Sequence, residues 1–325
     1  METTKLDALN REVSRIGLGT WAIGGWMWGG TDESESIETI RAAVDRGVNL
    51  IDTAPIYGFG RSEEIVGKAL VQIGDREKIV LATKAALEWN DGKVNRNASR
   101  KRILKEIDDS LTRLRTEYID IYQIHWPDSA VPVEETAETM KYLFEHQKIR
   151  AIGVSNFSPD QMEAFRKVAP LHTCQPPYNL FERGIENDVL PYCVENGITV
   201  LAYGALCRGL LSGKMTADRE FEGDDLRKYD PKFKEPRLGQ YLAASGKLDE
   251  LAMQKYGKRV IDLAVRWILD RGVQVALWGG RHPSQMEALG GVSDWSVDGD
   301  AMKQIDGILA STITAPVGPE FMAPP

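Results

Sequence analysis

Three ionisable side chains, Asp52, Lys84 and His125, each end a short apolar run: "NLID", "KIVLATK" and "YIDIYQIH". Tyr57 follows Asp52 by five residues, in the loop "TAPIYG". Taken singly, each has a plain reading: an Asp closing a strand often caps a turn, and a His there is often a bonded core residue. Together they suggest chemistry. A lysine ending such a run is costly to bury alone, so a carboxylate must neutralise it, and Asp52 is the candidate. The ammonium would stabilise a nearby phenolate, which predicts a Tyr57 pKa below its ordinary value of about 10. A neutral imidazole at His125 can bond the same oxygen and orient a carbonyl. The set composes a general acid, Tyr57, aimed at a polarised carbonyl. No nucleophile and no cluster of metal ligands accompanies it. Protonating a carbonyl requires a hydride donor, so a nicotinamide cofactor is the inference.

The elements that must position these groups alternate along the chain. Strands are predicted over Arg15–Gly19, Val48–Asp52, Lys78–Lys84, Tyr118–His125, Ile149–Ser155, His172–Gln175, Ile198–Tyr203 and Val273–Trp278. They are short and largely apolar, as strands buried on both faces must be. Amphipathic stretches lie between them, such as "SRKRILKEIDDSLTRL", which aligns Ile103, Ile107, Leu111 and Leu114. In "SPDQMEAF", Ser158 is placed to cap and Pro159 to open a helix. Eight such repeats predict a (β/α)8 TIM barrel, one domain over residues 1–325, with an extended loop after strand seven. That loop runs from Ala205 to about Tyr256 and is rich in Gly, Pro, Asp and Lys. Met1 to Ser14 precedes the first strand and is placed to plug the barrel floor. Further strand ends deliver Ser155 and Asn156, Gln175, and Tyr203 to the catalytic face. "GLGTWA" imitates a dinucleotide loop, but no helix opens within it. "RGLLSGKM" imitates a phosphate loop with the wrong glycine spacing.

Composition narrows the class. The chain has 325 residues, 42% hydrophobic and 27% charged, with a net charge of -8. That balance argues against a basic surface for nucleic acid, though one or two local cations suffice for a phosphorylated cofactor. Three scattered cysteines fit a reducing compartment better than a disulfide framework. With no apolar run of bilayer length and no signal-like start, a cytoplasmic protein without membrane association is expected.

The ordered segments "VSRIGLGTW", "GVNLIDTAPIYGFGRSEEIVGKAL", "LATK", "YIDIYQIHWPD", "IRAIGVSNFS", "QPPYNLFER" and "GITVLAYGALCRGLLSGK" resemble the aldo-keto reductase family across nearly the whole chain. The resemblance implies a barrel that uses NADPH/NADP, with NADH less favoured, and a catalytic tetrad of Asp52, Tyr57, Lys84 and His125. It further implies that Ser155, Asn156 and Gln175 bond the nicotinamide carboxamide and that Tyr203 stacks on its ring. The backbone around Leu206, Arg208, Gly209 and Leu211 would then hold the pyrophosphate. After the last strand the chain departs from the family. Gly280, Arg281, Ser284 and Gln285 are available, with Arg281 suited to a 2′-phosphate, but Ala288 and Leu289 occupy the usual adenine-contact positions.

Trp21, Trp89 and Trp126 are candidates for the substrate wall, with Trp26 and Trp28 equally suited to covering the barrel top. The substrate expected is a small carbonyl compound or the matching alcohol, sugar or polyol. Two alternatives use the same residues: a nicotinamide-binding regulatory or sensor subunit, as in potassium-channel β-subunits, and a cofactor-free barrel lyase or isomerase.

Overall fold

A computed structural model describes residues 1–325. In chain order the elements are β1 (Thr3–Leu6), β2 (Arg11–Ser14), β3 (Ile16–Gly19), α1 (Glu33–Asp45), β4 (Leu50–Asp52), α2 (Arg61–Ile73) and β5 (Val80–Ala85). There follow β6 (Leu87–Asn90), β7 (Lys93–Arg96), α3 (Arg100–Leu114), β8 (Ile119–Ile124), α4 (Val133–Glu145), β9 (Ile149–Ser155), α5 (Pro159–Arg166), β10 (Thr173–Gln175) and α6 (Val189–Glu195). The last are β11 (Thr199–Ala202), α7 (Arg237–Tyr256), α8 (Val260–Asp270), β12 (Val275–Gly279) and α9 (Gly299–Thr312).

The strands β3, β4, β5, β8, β9, β10, β11 and β12 close into a parallel barrel. Every predicted strand is one of these eight, with ends shifted by at most two residues. Alternation within each strand separates two cores. Leu50, Val80, Ile121, Ala151, Leu201 and Val275 point into the barrel, while their neighbours pack outward against the helices. Hairpin β1–β2 sends Leu6 and Val13 into the same interior cluster, so the first residues plug the floor. Helix starts follow local chemistry. Asp32 caps α1 through the Glu35 N–H, and Ser158 and Gln161 form a capping box under Pro159.

Two connections differ from the expected pattern. The stretch from Ala205 to Tyr256 is not one long loop, because its last 20 residues form α7. Ser245 interrupts the buried face of that helix, and Gly239 and Gly246 on its exposed side lower its helix propensity. After β12 the chain runs as a 3-10 segment over Pro283–Gly291 beside α1, not as an α-helix. No helix is long and apolar enough to cross a membrane.

One buried acid braces the catalytic end of β5. Ala86 has a positive φ of 75°, and its N–H donates to Glu106 Oε2 at 2.9 Å. Burial pushes the Glu106 carboxyl up to about 7, although Arg102 at 2.9 Å pulls the other way. The folded state therefore holds this proton more tightly than the unfolded chain. Its contribution to stability is greatest below the ordinary 4.5 and is lost as the pH rises to about 7. Glu106→Gln removes the titration. The melting temperature of the variant relative to wild type should therefore rise between pH 5 and pH 8; a constant difference would contradict it.

Candidate active site

Lys84 lies wholly inside the barrel, and its ammonium makes three contacts. It donates to Asp52 Oδ2 at 2.7 Å, to the Thr53 carbonyl at 2.9 Å and to Tyr57 Oη at 3.3 Å. The parallel register makes this possible: Asp52 pairs with Ala82, which puts Lys84 one inward step higher on the next strand. His125 follows β8, with its ring edge-on to Tyr57 at 5.7 Å between centroids. Asp52, Tyr57, Lys84 and His125 are thus brought together at one end of the barrel.

The electrostatics differ from the expectation in one respect. Burial drives the Tyr57 phenol well above its ordinary pKa, and the charge of Asp52 and the nearby Tyr203 add to the rise. The Lys84 ammonium, 3.3 Å from the phenol oxygen, does not reverse this rise. Burial also pulls the Lys84 ammonium down, against the attraction of Asp52. His125 falls well below its ordinary value through burial and then through Lys84. At neutral pH the site therefore holds a protonated phenol and an uncharged imidazole.

Glycine sets the place of Tyr57. The turn Ala22–Gly24 after β3 packs against the loop after β4, and a Cβ on Gly24 would lie 2.6 Å from the Tyr57 carbonyl carbon. Gly58, at φ 65°, faces the Gly24 backbone in return. The two loops meet only because neither carries a side chain there.

Two clefts of about 360 and 490 Å³ meet at Trp21, Tyr57 and Tyr203. The first is lined by Leu206, Arg208, Gly209, Gly280, Arg281 and Gln285; the second by His125, Trp126, Ser155, Asn156 and Gln175. Several predicted roles change. Trp89 lines neither cleft; it packs against Phe59 at 5.8 Å with the Arg102 guanidinium over its ring. Leu211 is buried away from both clefts, and Ser284 is exposed outside them. The Gly209 and Leu211 N–H groups both donate to the Leu206 carbonyl, closing a tight turn beside the first cleft. The Arg208 side chain turns inward to Glu182 and Asp230. Gln175 donates its amide to Asp52 Oδ1 at 2.7 Å, and Tyr203 donates to Asn156 Oδ1 at 3.0 Å.

The Aldo/keto reductase family profile matches residues 15–310. The chain belongs to the aldo/keto reductase family. It is 62% identical to the aldo-keto reductase YhdN of Bacillus subtilis over all of this chain and 98% of the relative. It is 40% identical to an NADH-specific methylglyoxal reductase of Escherichia coli, over 67% of this chain and 71% of that one. Among solved structures, the glycerol dehydrogenase AKR11B4 of Gluconobacter oxydans superimposes with a TM-score of 0.89 at 52% identity, covering 99% of each chain. A Klebsiella pneumoniae aldo-keto reductase in complex with NADPH gives a TM-score of 0.74 at 27% identity, over 95% of this chain and 96% of that one.

This aldo/keto reductase is accordingly an oxidoreductase, and its clefts include residues that the sequence reading missed. Lys214, Arg219 and Arg227 line the first cleft, from the segment after β11. "RGLLSGKM", rejected as a phosphate loop on its spacing, does supply part of that wall. The C-terminal tail "TAPVGPEFMAPP", which the family resemblance placed near the pocket, brings Phe321, Met322 and the terminal prolines to the second cleft, tied down by Arg96 donating to the Pro324 carbonyl at 2.8 and 3.0 Å. Gln123 also went unnoticed, though it stands two residues before His125 and therefore faces the same way.

Gly24→Ala should displace the Tyr57 backbone. Turnover should fall on the order of 10²-fold, as sub-ångström to 1 Å misplacements do, while cofactor affinity stays within a factor of about 2. Steady-state kinetics alongside fluorescence titration of the cofactor checks this; unchanged turnover would show that the loop contact is not limiting.

Proposed function

We propose that this enzyme reduces a small aldehyde or ketone, or oxidises the matching alcohol or polyol, with NADPH/NADP as hydride carrier and Tyr57 as general acid. The observation that carries the reading is the Asp52–Lys84–Tyr57 chain, with contacts of 2.7 and 3.3 Å, ending on a phenol at the junction of two clefts. The nicotinamide, when bound, supplies or accepts the hydride. Tyr57, protonated at neutral pH, gives its proton to the developing alkoxide, and Lys84 steadies the phenolate left behind. His125, neutral, can bond the same oxygen and orient it. Trp21 and Trp126 supply the apolar walls that exclude water.

The cofactor reading is supported by the crowding of cations in the first cleft. Burial pulls the Arg281 guanidinium down, and Arg227 and Arg219 pull it further against the opposing charges of Asp225 and Glu35. Like charges gathered this way favour an anion among them, and a 2′-phosphate fits that need. Arg281 also donates to the Trp28 carbonyl at 2.6 Å, so the loop after β3 is tied to the same wall. The NADPH complex of the Klebsiella relative agrees with this reading, whereas the Escherichia relative prefers NADH. The difference makes the arginines the residues to test. Ser155 and Asn156 remain the candidates for the nicotinamide carboxamide, and Tyr203 for the ring.

Tyr57→Phe should lower turnover about 10²- to 10⁴-fold against an aldehyde, ketone and polyol panel, with NADPH binding retained. Full turnover in the variant would remove Tyr57 as the acid. An inactive wild type that still binds NADPH would instead favour a sensor role. Arg219→Ala with Arg281→Ala should weaken NADPH at least about 10-fold while NADH changes less than about 3-fold, read from cofactor Kd values. Equal weakening of both would place the 2′-phosphate elsewhere.

A further inference from the structure

Below the reacting groups, three polar side chains meet inside the barrel with almost no exposure: Asp52, Gln123 and Gln175. Gln123 donates its amide to Asp52 Oδ1 at 3.2 Å, and Gln175 donates to the same oxygen at 2.7 Å. The Gln175 amide also donates to Gln123 Oε1 at 3.3 Å. A carboxylate only accepts, so both amide nitrogens must face it; both polar ends of Gln123 are thereby used. Asp52 is divided: Oδ2 serves Lys84 and Oδ1 serves the two amides. The barrel makes room for this. Gln123 pairs across the sheet with Lys84 on one side and Gly153 on the other, and a Cβ on Gly153 would lie 2.7 Å from Gln123 Cγ.

We propose that Gln123 is a positioning residue that sets the proton affinity of Tyr57 by drawing the charge of Asp52 away from Lys84. The proposal rests on the reading of Tyr57 as the general acid. Each amide that bonds Oδ1 weakens the negative field that Asp52 exerts, so the Lys84 ammonium acts more strongly on the phenol oxygen 3.3 Å away. The groups facing Tyr57 and Lys84 are Asp52 from β4, His125 beyond β8, Tyr203 beyond β11, and Glu63 of α2 behind the strand. His125 is held neutral, and Glu63 is bonded to Arg113 at 2.7 Å and to Thr83 at 2.6 Å. Asp52 is therefore the charge that Gln123 can adjust. An amide placed for packing alone has no such effect, because an apolar side chain of equal volume would fill the space.

The test compares wild type, Gln123→Met and Gln123→Glu in NADP-dependent oxidation of the best alcohol of a polyol panel, between pH 6 and 10.5. In Gln123→Met the pH at half-maximal kcat/KM should move up by about half to one unit, with cofactor Kd unchanged. Gln123→Glu, which brings a second carboxyl against Asp52, should move it further up. Tyr57→Phe in the same assay must abolish oxidation; if it does not, the general-acid reading fails, whatever Gln123 does. With Tyr57 essential, profiles superimposable on wild type in both variants, accompanied only by a lower melting temperature, would leave Gln123 a packing residue and overturn the proposal.

Discussion

A lysine ammonium inside a barrel of apolar side chains is the constraint on which this structure turns. Left alone, the Lys84 charge would cost several kcal/mol in lost hydration. Asp52 offsets that cost at 2.7 Å, but a buried carboxylate then requires donors of its own, and Gln123 and Gln175 provide them. The charge of Lys84 has its countercharge, and both oxygens of Asp52 accept from donors. Beyond Asp52 the ammonium keeps two contacts, one to the Thr53 carbonyl and one to Tyr57. The chemistry of the site is what is left over from neutralising its interior.

The surrounding loops are shaped by the same contact. Tyr57 reaches Lys84 because the loop after β4 lies against the turn at Gly24 with no side chain between. That turn continues into Met27 and Gly29, whose N–H groups donate to Asp224, while Leu226 donates to the Met27 carbonyl. The segment after β11 thus closes over the first cleft and holds the turn that holds Tyr57. Arg208, with Glu182, Asp230 and Lys232, anchors that segment from beneath. Its side chain is turned away from the cleft for this reason. A cation on a loop beside a phosphate-sized space is not free to bind phosphate when two buried carboxylates already claim it.

What was legible in the sequence follows from range. The eight strands were readable because each is a short apolar run whose pattern is local. Asp52, Lys84 and His125 stood out because a charged or polar residue ends an apolar run in each case. Gln123 carried a signal too: it is a polar residue within "IDIYQIHW", two places from His125, and strand alternation puts both on the barrel side. Trp89 misled because the chain after β5 turns into the hairpin β6–β7, which carries that ring away to Phe59 and Arg102. The inward turn of Arg208 was not legible at all, since Glu182 and Asp230 lie 26 and 22 residues away along the chain. The place of "RGLLSGKM" on the cleft wall came from the family resemblance alone, because it depends on tertiary packing and not on glycine spacing.

The sign of the Tyr57 shift shows where pairwise reasoning from sequence stops. A lysine beside a tyrosine lowers the phenol pKa only if its field is not outweighed by burial and by nearby anions. Here the carboxylate that permits the lysine to be buried is also nearer to it than the phenol is, and the phenol sits against apolar walls. Burial and Asp52 therefore outweigh Lys84, and the phenol is held protonated. That is the state a proton donor needs before reaction. The ammonium matters most afterwards, once the proton has left and a phenolate stands 3.3 Å from it. A positive nicotinamide, when bound, would act in the same direction. On the proposed role of Tyr57, Lys84 stabilises the product of proton transfer rather than priming the acid, and on the proposal for Gln123 its amide at Asp52 adjusts how much of that charge is available.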